Sequence, residues 1–492
     1  MNVAPSLSPP AGPIIRPGRN AWRLERADTL TFLVDGEDYF RELDRALRTA
    51  RRTINIVGWD FDPDILLRPR EGGRTLGRLL RALVERHPML EVRILIWASG
   101  PIYSGHSFKM YRRQGWSDHP RIFLRFDPRH ALRGSHHQKI VTLDDSVAFV
   151  GGIDLTAGRW DTRDHRAHAP YRLTPDGKAY PPVHDVQARV TGPAAAALAE
   201  LARKRWKHAT RQDLPAPAPA APLPETCPAD LQGCMVGLAR TIPGLGLRES
   251  RREAIRLTGD AIAAARRHLY IETQYLASFK VGAALAARLE EPSGPELVIV
   301  VTCSSRGLLE QFVMAHNRNR LLRRLKRADA FGRLRVMYAA VPDGEGGEQE
   351  VLIHSKVMIA DDTFVRVGSS NLNNRSEGLD TECDIAVEAG TQEERRAVAA
   401  FRARLLGEHL DVAPEVFAQT LQAEGSLVAA IDRLNMRPRG LRQLPVKGKG
   451  RTRPLPGTGL LDPSRPFRPL RAAGRGLAAV FARLSRAFAG LG

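Results

Sequence analysis

The chain repeats itself. Residues 50–56 read ARRTINI and residues 265–271 read ARRHLYI, an offset of 215. EVRILIWAS (91–99) has a later counterpart in ELVIVVTCS (296–304), and RIFLRF (121–126) in RLRVMY (333–338). HHQKIVTLD (136–144) and HSKVMIAD (354–361) then share one pattern: a His, one residue, a Lys, four residues, an Asp. This sets His137, Lys139 and Asp144 against His354, Lys356 and Asp361 at an offset of 217. One similar segment is chance, but four in the same order mean a duplicated domain. Whatever one half folds into, the other half must fold into as well.

Each half mixes two periodicities. Glu37–Arg52 carries Tyr39, Phe40, Leu43 and Leu47 at helical spacing, whereas the paired runs above are apolar throughout, as in fully buried strands. Strands alternating with helices predict two α/β lobes with mixed or parallel sheets. Between the halves lies LPAPAPAAPLPE (214–225), where alternating Ala and Pro can hold neither a helix nor a central strand. The expected organisation is a flexible N-terminus (1–25), a first lobe (26–212), a linker (213–234), a second lobe (235–412) and a basic tail (413–492).

The charge is concentrated at one end. Of the formal net charge of +20, residues 437–492 supply +12, with thirteen Lys/Arg against the single acid Asp462. A nucleic-acid enzyme is expected to spread cations along a groove in its body. The tail closes on a segment, 474–491, in which Leu477, Val480, Phe481, Leu484, Phe488 and Leu491 share a helical face and Arg475, Arg483 and Arg486 lie largely off it. That pattern suits an in-plane helix on an anionic membrane, with a helix packed on the protein's own surface as the alternative, and the basic stretch just before it favours the membrane. No run approaches eighteen apolar residues, so a bilayer-spanning helix is not expected. Residues 1–20 do not read as a signal peptide. Cys227, Cys234, Cys303 and Cys383 fit no zinc or disulfide spacing and are expected as reduced thiols of a cytosolic protein.

The repeated pattern carries chemistry. Two residues apart in a strand, His137 and Lys139 share a face, as do His354 and Lys356. Each run continues through a turn at Asp144 or Asp361 into a returning strand, VAFVGG (147–152) or FVRVGSSN (364–371). Each hairpin thus offers an imidazole beside an ammonium at the end of a buried sheet. A lone HxK is weak evidence, but the full pattern twice in a duplicated domain is strong. Asp144 and Asp361 sit in the turns, off the parity of the His–Lys face, and are expected to brace the hairpins.

On these motifs the sequence resembles the phospholipase D superfamily over residues 30–412, and in particular its phosphatidylcholine-hydrolysing branch. GGIDLTAGRWD (151–161), VHDVQARVTGPAAAAL (183–198), YIETQYL (270–276) and GSSNLNNRSEGLDTE (368–382) resemble segments that flank the motifs in that branch. The resemblance implies a duplicated fold whose lobes are related by a pseudo-two-fold axis, with one active site at their interface. The motif residues His137, Lys139, Asp144, His354, Lys356 and Asp361 then form the catalytic set. Lys139, Lys356, Asn371 and Ser369 would hold the phosphate. Asp185 and Glu382 would orient the histidines, with Asp185 expected beside His137. Asp154 stands where the second motif has Asn371, and an ionised Asp cannot donate to phosphate. By the same resemblance His137 is the nucleophile and His354 the acid, although local sequence does not separate them.

The implied reaction needs no cofactor and no metal, because two ammonium groups supply the electrostatics. The expected activity is hydrolysis of a glycerophospholipid to phosphatidate and headgroup through a phosphohistidine, with transfer to alcohols. The expected partners are a phospholipid and, through the tail, an anionic membrane surface. The expected location is cytoplasmic and peripheral to a membrane, and the expected state a monomer. A cardiolipin-synthase-like phosphatidyltransferase is the alternative; a nuclease and a non-catalytic lipid-binding scaffold are further ones. Trp59, Trp160 and Tyr275 are candidate walls for a cationic headgroup.

Overall fold

The structure, a computed structural model, describes residues 12–100, 115–217, 226–244, 249–304, 308–446, 449–454, 462–464 and 466. Two mixed sheets carry it. Edge to edge, the first runs Leu231–Gln232, Thr29–Val34, Val186–Thr191, Val147–Gly151, Ile140–Leu143, Thr53–Gly58, Glu91–Trp97 and Ile122–Asp127. The main path of the second runs Arg23–Arg26, Met235–Ile242, Glu382–Glu388, Phe364–Gly368, Lys356–Ala360, His268–Thr273, Glu296–Val301, Leu334–Pro342, Glu348–Ile353 and Val183–His184.

From Thr29–Val34 to Ile122–Asp127 and from Met235–Ile242 to Leu334–Pro342 the two orders match strand for strand. Three parallel strands in each sheet continue into an antiparallel run that contains the motif hairpin. The duplication read from four short segments therefore extends to the topology.

The sheets pack face to face, with helices on their outer faces. Val150, Val186 and Ala188 of the first sheet share a core with Val357, Val365, Val367 and Ile385 of the second. The outer face of the first sheet is covered by Asp35–Thr49 and Leu76–Arg86, and that of the second by Glu253–Ala264, Phe279–Glu290 and Leu308–Ala328. Alternation along the motif strands makes this possible: Ile140 joins the shared core while Val141 and Leu143 face outward beneath the helices. A buried Val, Leu or Ile is worth about 1.5–3 kcal/mol, so a joint lined by so many cannot open as a hinge.

Three boundaries differ from expectation. Residues 12–25 are not flexible: Ile14 and Ile15 are buried in the second lobe, and Arg23–Arg26 pairs with Met235–Leu238. Leu231–Gln232, expected in the linker, pairs with Thr29 and Leu30 at the edge of the first sheet. Beyond residue 412, Pro414–Glu424 and Leu427–Leu434 are helices, and Gly440–Gln443 pairs with Leu334–Pro342. Composition shifts mark where a chain becomes polar, and an edge strand can be polar. Most of the Ala/Pro segment (218–225) and the amphipathic segment 474–491 lie outside the described residues.

Candidate active site

The motif histidines sit at the mouth of the joint. His137 and Lys139 immediately precede strand Ile140–Leu143, and Lys356 opens strand Lys356–Ala360 opposite Thr273. Two symmetric hydrogen bonds cross from lobe to lobe. The amide of His137 donates to the Thr381 carbonyl (3.0 Å), and the amide of His354 donates to the His184 carbonyl (2.8 Å). The next residue after each acceptor is a carboxylic acid, and each acid reaches the same histidine. His137 Nδ1 lies 2.9 Å from Glu382 Oε2, and His354 Nδ1 lies 2.6 Å from Asp185 Oδ2. The pairing is therefore the reverse of expectation: Asp185 serves His354, and His137 takes Glu382. Proximity in sequence suggested the wrong partner because the exchange runs through backbone pairing between lobes.

Small residues make room for this. A Cβ on Gly152 would fall 2.1 Å from Asp185 Oδ1, so only glycine lets that carboxylate into place. The second motif has Ser369 at the matching position, and it is fully buried. Its hydroxyl donates to Glu382 Oε2 (2.6 Å) and accepts from the Cys383 amide (3.0 Å). In this arrangement the Ser369 hydroxyl, expected to hold phosphate, props Glu382. Ser376 props the other oxygen, Oε1, at 2.6 Å; sequence reading missed it, although it lies within the quoted segment 368–382.

The lysines are buried and unequal. Lys139 Nζ pairs with Asp154 Oδ2 at 3.0 Å and donates to the His137 carbonyl at 3.0 Å. Lys356 Nζ donates to the His354 carbonyl and lies 3.1 Å from His354 Nδ1. The residue matching Asp154 is Asn371, which carries no charge and whose buried Oδ1 has no hydrogen-bond partner. Burial pushes the Lys356 amine down to about 7, against the pull of Asp185. Burial also raises Glu382 to about 7, opposed by the serine hydroxyls and the lysines, and raises Asp185.

Both imidazoles are held well below their ordinary value. For His137 the causes are burial and then Lys139 and Lys356; for His354 they are burial, Lys356 and then Arg159. Arg159 also went unassigned in the sequence, although it stands in the quoted segment 151–161. With His354, Tyr275, Thr302, Arg318 and Leu352 it lines a cavity of about 150 Å³. Lys356, Arg159 and Lys139 all act on His354, and an anion bound among them would reverse the shifts they cause. Of the proposed aromatic walls, Tyr275 lines this cavity. Trp160 is buried beneath Arg70, and Trp59 packs near Trp97.

Asp144 and Asp361 stand away from this cluster. Asp144 accepts the amides of Arg51, Arg52 and Thr53 at 2.7, 2.8 and 2.6 Å. Asp361 accepts those of Arg266, Arg267 and His268 at 2.9, 2.8 and 3.0 Å. Both have positive φ, 49° and 52°, which Asp tolerates in turns. The ARR repeat and the His-Lys-Asp repeat recur together because one binds the other.

Fold and site together define a class: duplicated α/β lobes that close one anion-receptive centre from two His–Lys pairs. Residues 125–221 match the family model described as "Phospholipase D", and residues 259–403 the one described as "Cardiolipin synthase, PLD-like domain". The chain belongs to the phospholipase D superfamily of phosphodiesterases and phosphatidyltransferases. Among similar proteins, "Phospholipase D1" of Schizosaccharomyces pombe is 25% identical over 79% of this chain and 36% of its own length. "Phospholipase D1" of Saccharomyces cerevisiae is 26% identical over 72% of this chain and 26% of its own. The chain thus spans about a third or less of the length of these relatives. The phosphatidylserine synthase of Haemophilus influenzae shares the fold, with a TM-score of 0.53 at 15% identity over 85% of this chain and 98% of its own. Among the described residues, no helix is long and apolar enough to cross a membrane.

Proposed function

We propose that the chain is a phospholipase D acting on glycerophospholipids at the phosphodiester bond nearest the headgroup. The observation that carries this reading is the crossed pair of carboxylate–imidazole contacts around two buried lysines. A carboxylate on Nδ1 fixes the tautomer and leaves Nε2 as the reacting nitrogen. Two histidines so held can serve as base and acid in one turnover.

The substrate's phosphate enters among Lys139, Lys356 and Arg159, which neutralise its non-bridging oxygens as charge develops; Asn371 adds a neutral donor. His137 Nε2 attacks phosphorus and the bond from phosphorus to the headgroup oxygen breaks. His354, as imidazolium, gives that oxygen its proton. The neutral His354 then takes a proton from water, whose oxygen displaces His137 and leaves phosphatidate. An alcohol in place of water yields the transphosphatidylation product. The low proton affinity of the empty site does not obstruct this, because the negative charge of the bound phosphate raises the proton affinity of His354, which takes its proton from solvent. Glu382 and Asp185 stabilise each imidazolium in turn. The lipid would be taken from a membrane surface, attracted by the basic stretch 437–492.

Matching of residues 259–403 to a cardiolipin synthase model supports a second reading, in which the acceptor is the hydroxyl of another phospholipid. One incubation separates them. Mixed phospholipid vesicles with and without ethanol should yield phosphatidate and, with ethanol, phosphatidylethanol. Cardiolipin as the main product would establish the second reading, and no phospholipid product of either kind would overturn both.

A further inference from the structure

A second cluster of ionisable groups lies directly behind the site, and the reaction above makes no use of it. Asp35, His165 and His184 are wholly buried and Glu408 nearly so. One ligating atom from each lies within 4.8 Å of the others. His184 Nδ1 is 2.9 Å from Glu408 Oε1 and 3.1 Å from Asp35 Oδ1. His165 Nε2 is 3.1 Å from Glu408 Oε1 and 3.5 Å from Asp35 Oδ2. Metal–ligand bonds of about 2.0–2.2 Å in a tetrahedron put neighbouring ligand atoms about 3.3–3.6 Å apart. The observed spacing needs only a small expansion to reach it.

The orientation of each ring is the stronger argument. The outer nitrogen of His165, Nδ1, meets Asp161 Oδ2 at 3.0 Å, and that of His184, Nε2, meets Glu272 Oε2 at 3.0 Å. Both acceptors are themselves fixed, Asp161 by Arg172 (3.0 Å) and the Val183 amide (2.9 Å), Glu272 by the Tyr270 hydroxyl (2.6 Å) and His409 (3.2 Å). A neutral imidazole whose outer N–H is given to a carboxylate turns its inner lone pair to a common point, as metal-bound histidines do. Asp35 faces the same point, its buried carboxylate oxygens set against the two imidazoles, His184 Nδ1 at 3.1 Å and His165 Nε2 at 3.5 Å.

We propose that Asp35, His165, His184 and Glu408 bind one divalent transition-metal ion, zinc by preference, as a closed structural site. Two imidazole nitrogens and two carboxylate oxygens suit that ion. All four protein positions are filled by side chains without access to solvent, so the ion is structural and not catalytic. Its ligands come from the first lobe (Asp35, His165, His184) and from helix Gln392–His409 of the second. His184 precedes Asp185, and the Asp35 amide donates to the Asp185 carbonyl at 2.8 Å. The ion thus staples the lobes one residue from the carboxylate that holds His354.

The competing account keeps the cluster as a network bridged by protons. Without an ion, the neighbouring carboxylates raise His165 to about 9 against the effect of burial. The two imidazolium protons then balance the acids that a divalent ion would otherwise balance.

Metal analysis of the full-length protein by mass spectrometry, after dialysis against a metal-free buffer, decides between them. We expect about one equivalent of zinc per chain, with cobalt(II) taking its place and giving the visible absorption of a tetrahedral centre. Asp35→Asn and Glu408→Gln should lose the ion, and Asp161→Asn should weaken it about 10–100-fold. Stripping the ion should lower Tm, and zinc should restore it. Wild-type protein grown with added zinc that holds less than about a tenth of an equivalent, and whose Tm ignores both zinc and chelator, would overturn the proposal. So would full metal content in Asp35→Asn and Glu408→Gln, which would mark the ion as adventitious.

Discussion

His354 Nδ1 stands 2.6 Å from Asp185 Oδ2 across the joint between lobes, 169 residues away in the chain. The mirror contact joins His137 to Glu382, 245 residues apart. Each lobe therefore carries a histidine that only the other lobe can orient. Neither half of the duplication holds a complete site.

The crossing has a direct signature. Asp185→Asn should alter the titration and tautomer of His354, read by nitrogen NMR of the imidazoles, and leave those of His137 nearly unchanged. Glu382→Gln should do the reverse. Each should lower kcat by about 10²–10⁴-fold with little change in KM, since general acid–base catalysis is worth about that much. A change at His137 in Asp185→Asn would contradict the pairing.

Gly152→Ala tests the same contact without touching an ionisable group. Its Cβ would collide with the Asp185 carboxylate, so kcat should fall by at least about tenfold while Ala tolerates the backbone itself. Ser369→Ala, at the matching place, removes one hydrogen bond to Glu382 instead. It should cost less, at most about 1 kcal/mol of transition-state support, or about fivefold. Equal effects of both would contradict this account.

Anion binding should take up protons. In the empty site Lys356 titrates at about 7, so above that pH it is largely neutral. A bound phosphate or tungstate favours the ammonium and raises its pKa. Affinity should therefore fall as pH rises above about 7, with about one proton taken up by Lys356 at about pH 8 and up to one more by His354. Calorimetry in buffers of different ionisation enthalpy reads this number; zero uptake would contradict the arrangement.

The sign for stability follows from the same shift. Lys356 binds its proton less readily folded than unfolded, so its burial costs stability at low pH. That cost is relieved as pH rises from about 7 toward the ordinary lysine value.

Asp144 belongs to folding and not to the reaction. Asp144→Ala leaves three backbone amides, those of Arg51, Arg52 and Thr53, without their acceptor. A buried polar group left unpaired costs about 1–3 kcal/mol, so denaturant unfolding should show a loss of a few kcal/mol. The surviving folded protein should keep a kcat close to wild type. A collapse of kcat with unchanged stability would place Asp144 in the chemistry.

How much of this could be read from the chain follows from what a repeat records. Periodicity and duplication made the strands and motif hairpins legible, because Ile54, Val141 and their counterparts must be buried in either lobe. Parity along the hairpin kept Asp144 and Asp361 off the histidine face. Edge pairing was not legible: Arg23–Arg26 and Gly440–Gln443 are polar strands that only a partner edge makes ordered. The assignment of Asp185 to His137 failed for a related reason. That choice is made by backbone pairing between His184 and Ile353 and between Thr381 and His136, which leaves no local trace in side-chain pattern. Ser376 and Arg159 were invisible as site residues because nothing in a single sequence separates them from other polar loop residues.

The central claim is that His137 and His354 act in one phosphodiester site, one as nucleophile and the other as acid and base. Rapid quench with a short-chain phospholipid, followed by peptide mass analysis, tests it most directly. The account predicts an acid-labile phosphatidyl adduct on His137, absent from His137→Asn, and loss of headgroup release in both His137→Asn and His354→Asn. Wild-type rates of release in both variants would contradict it.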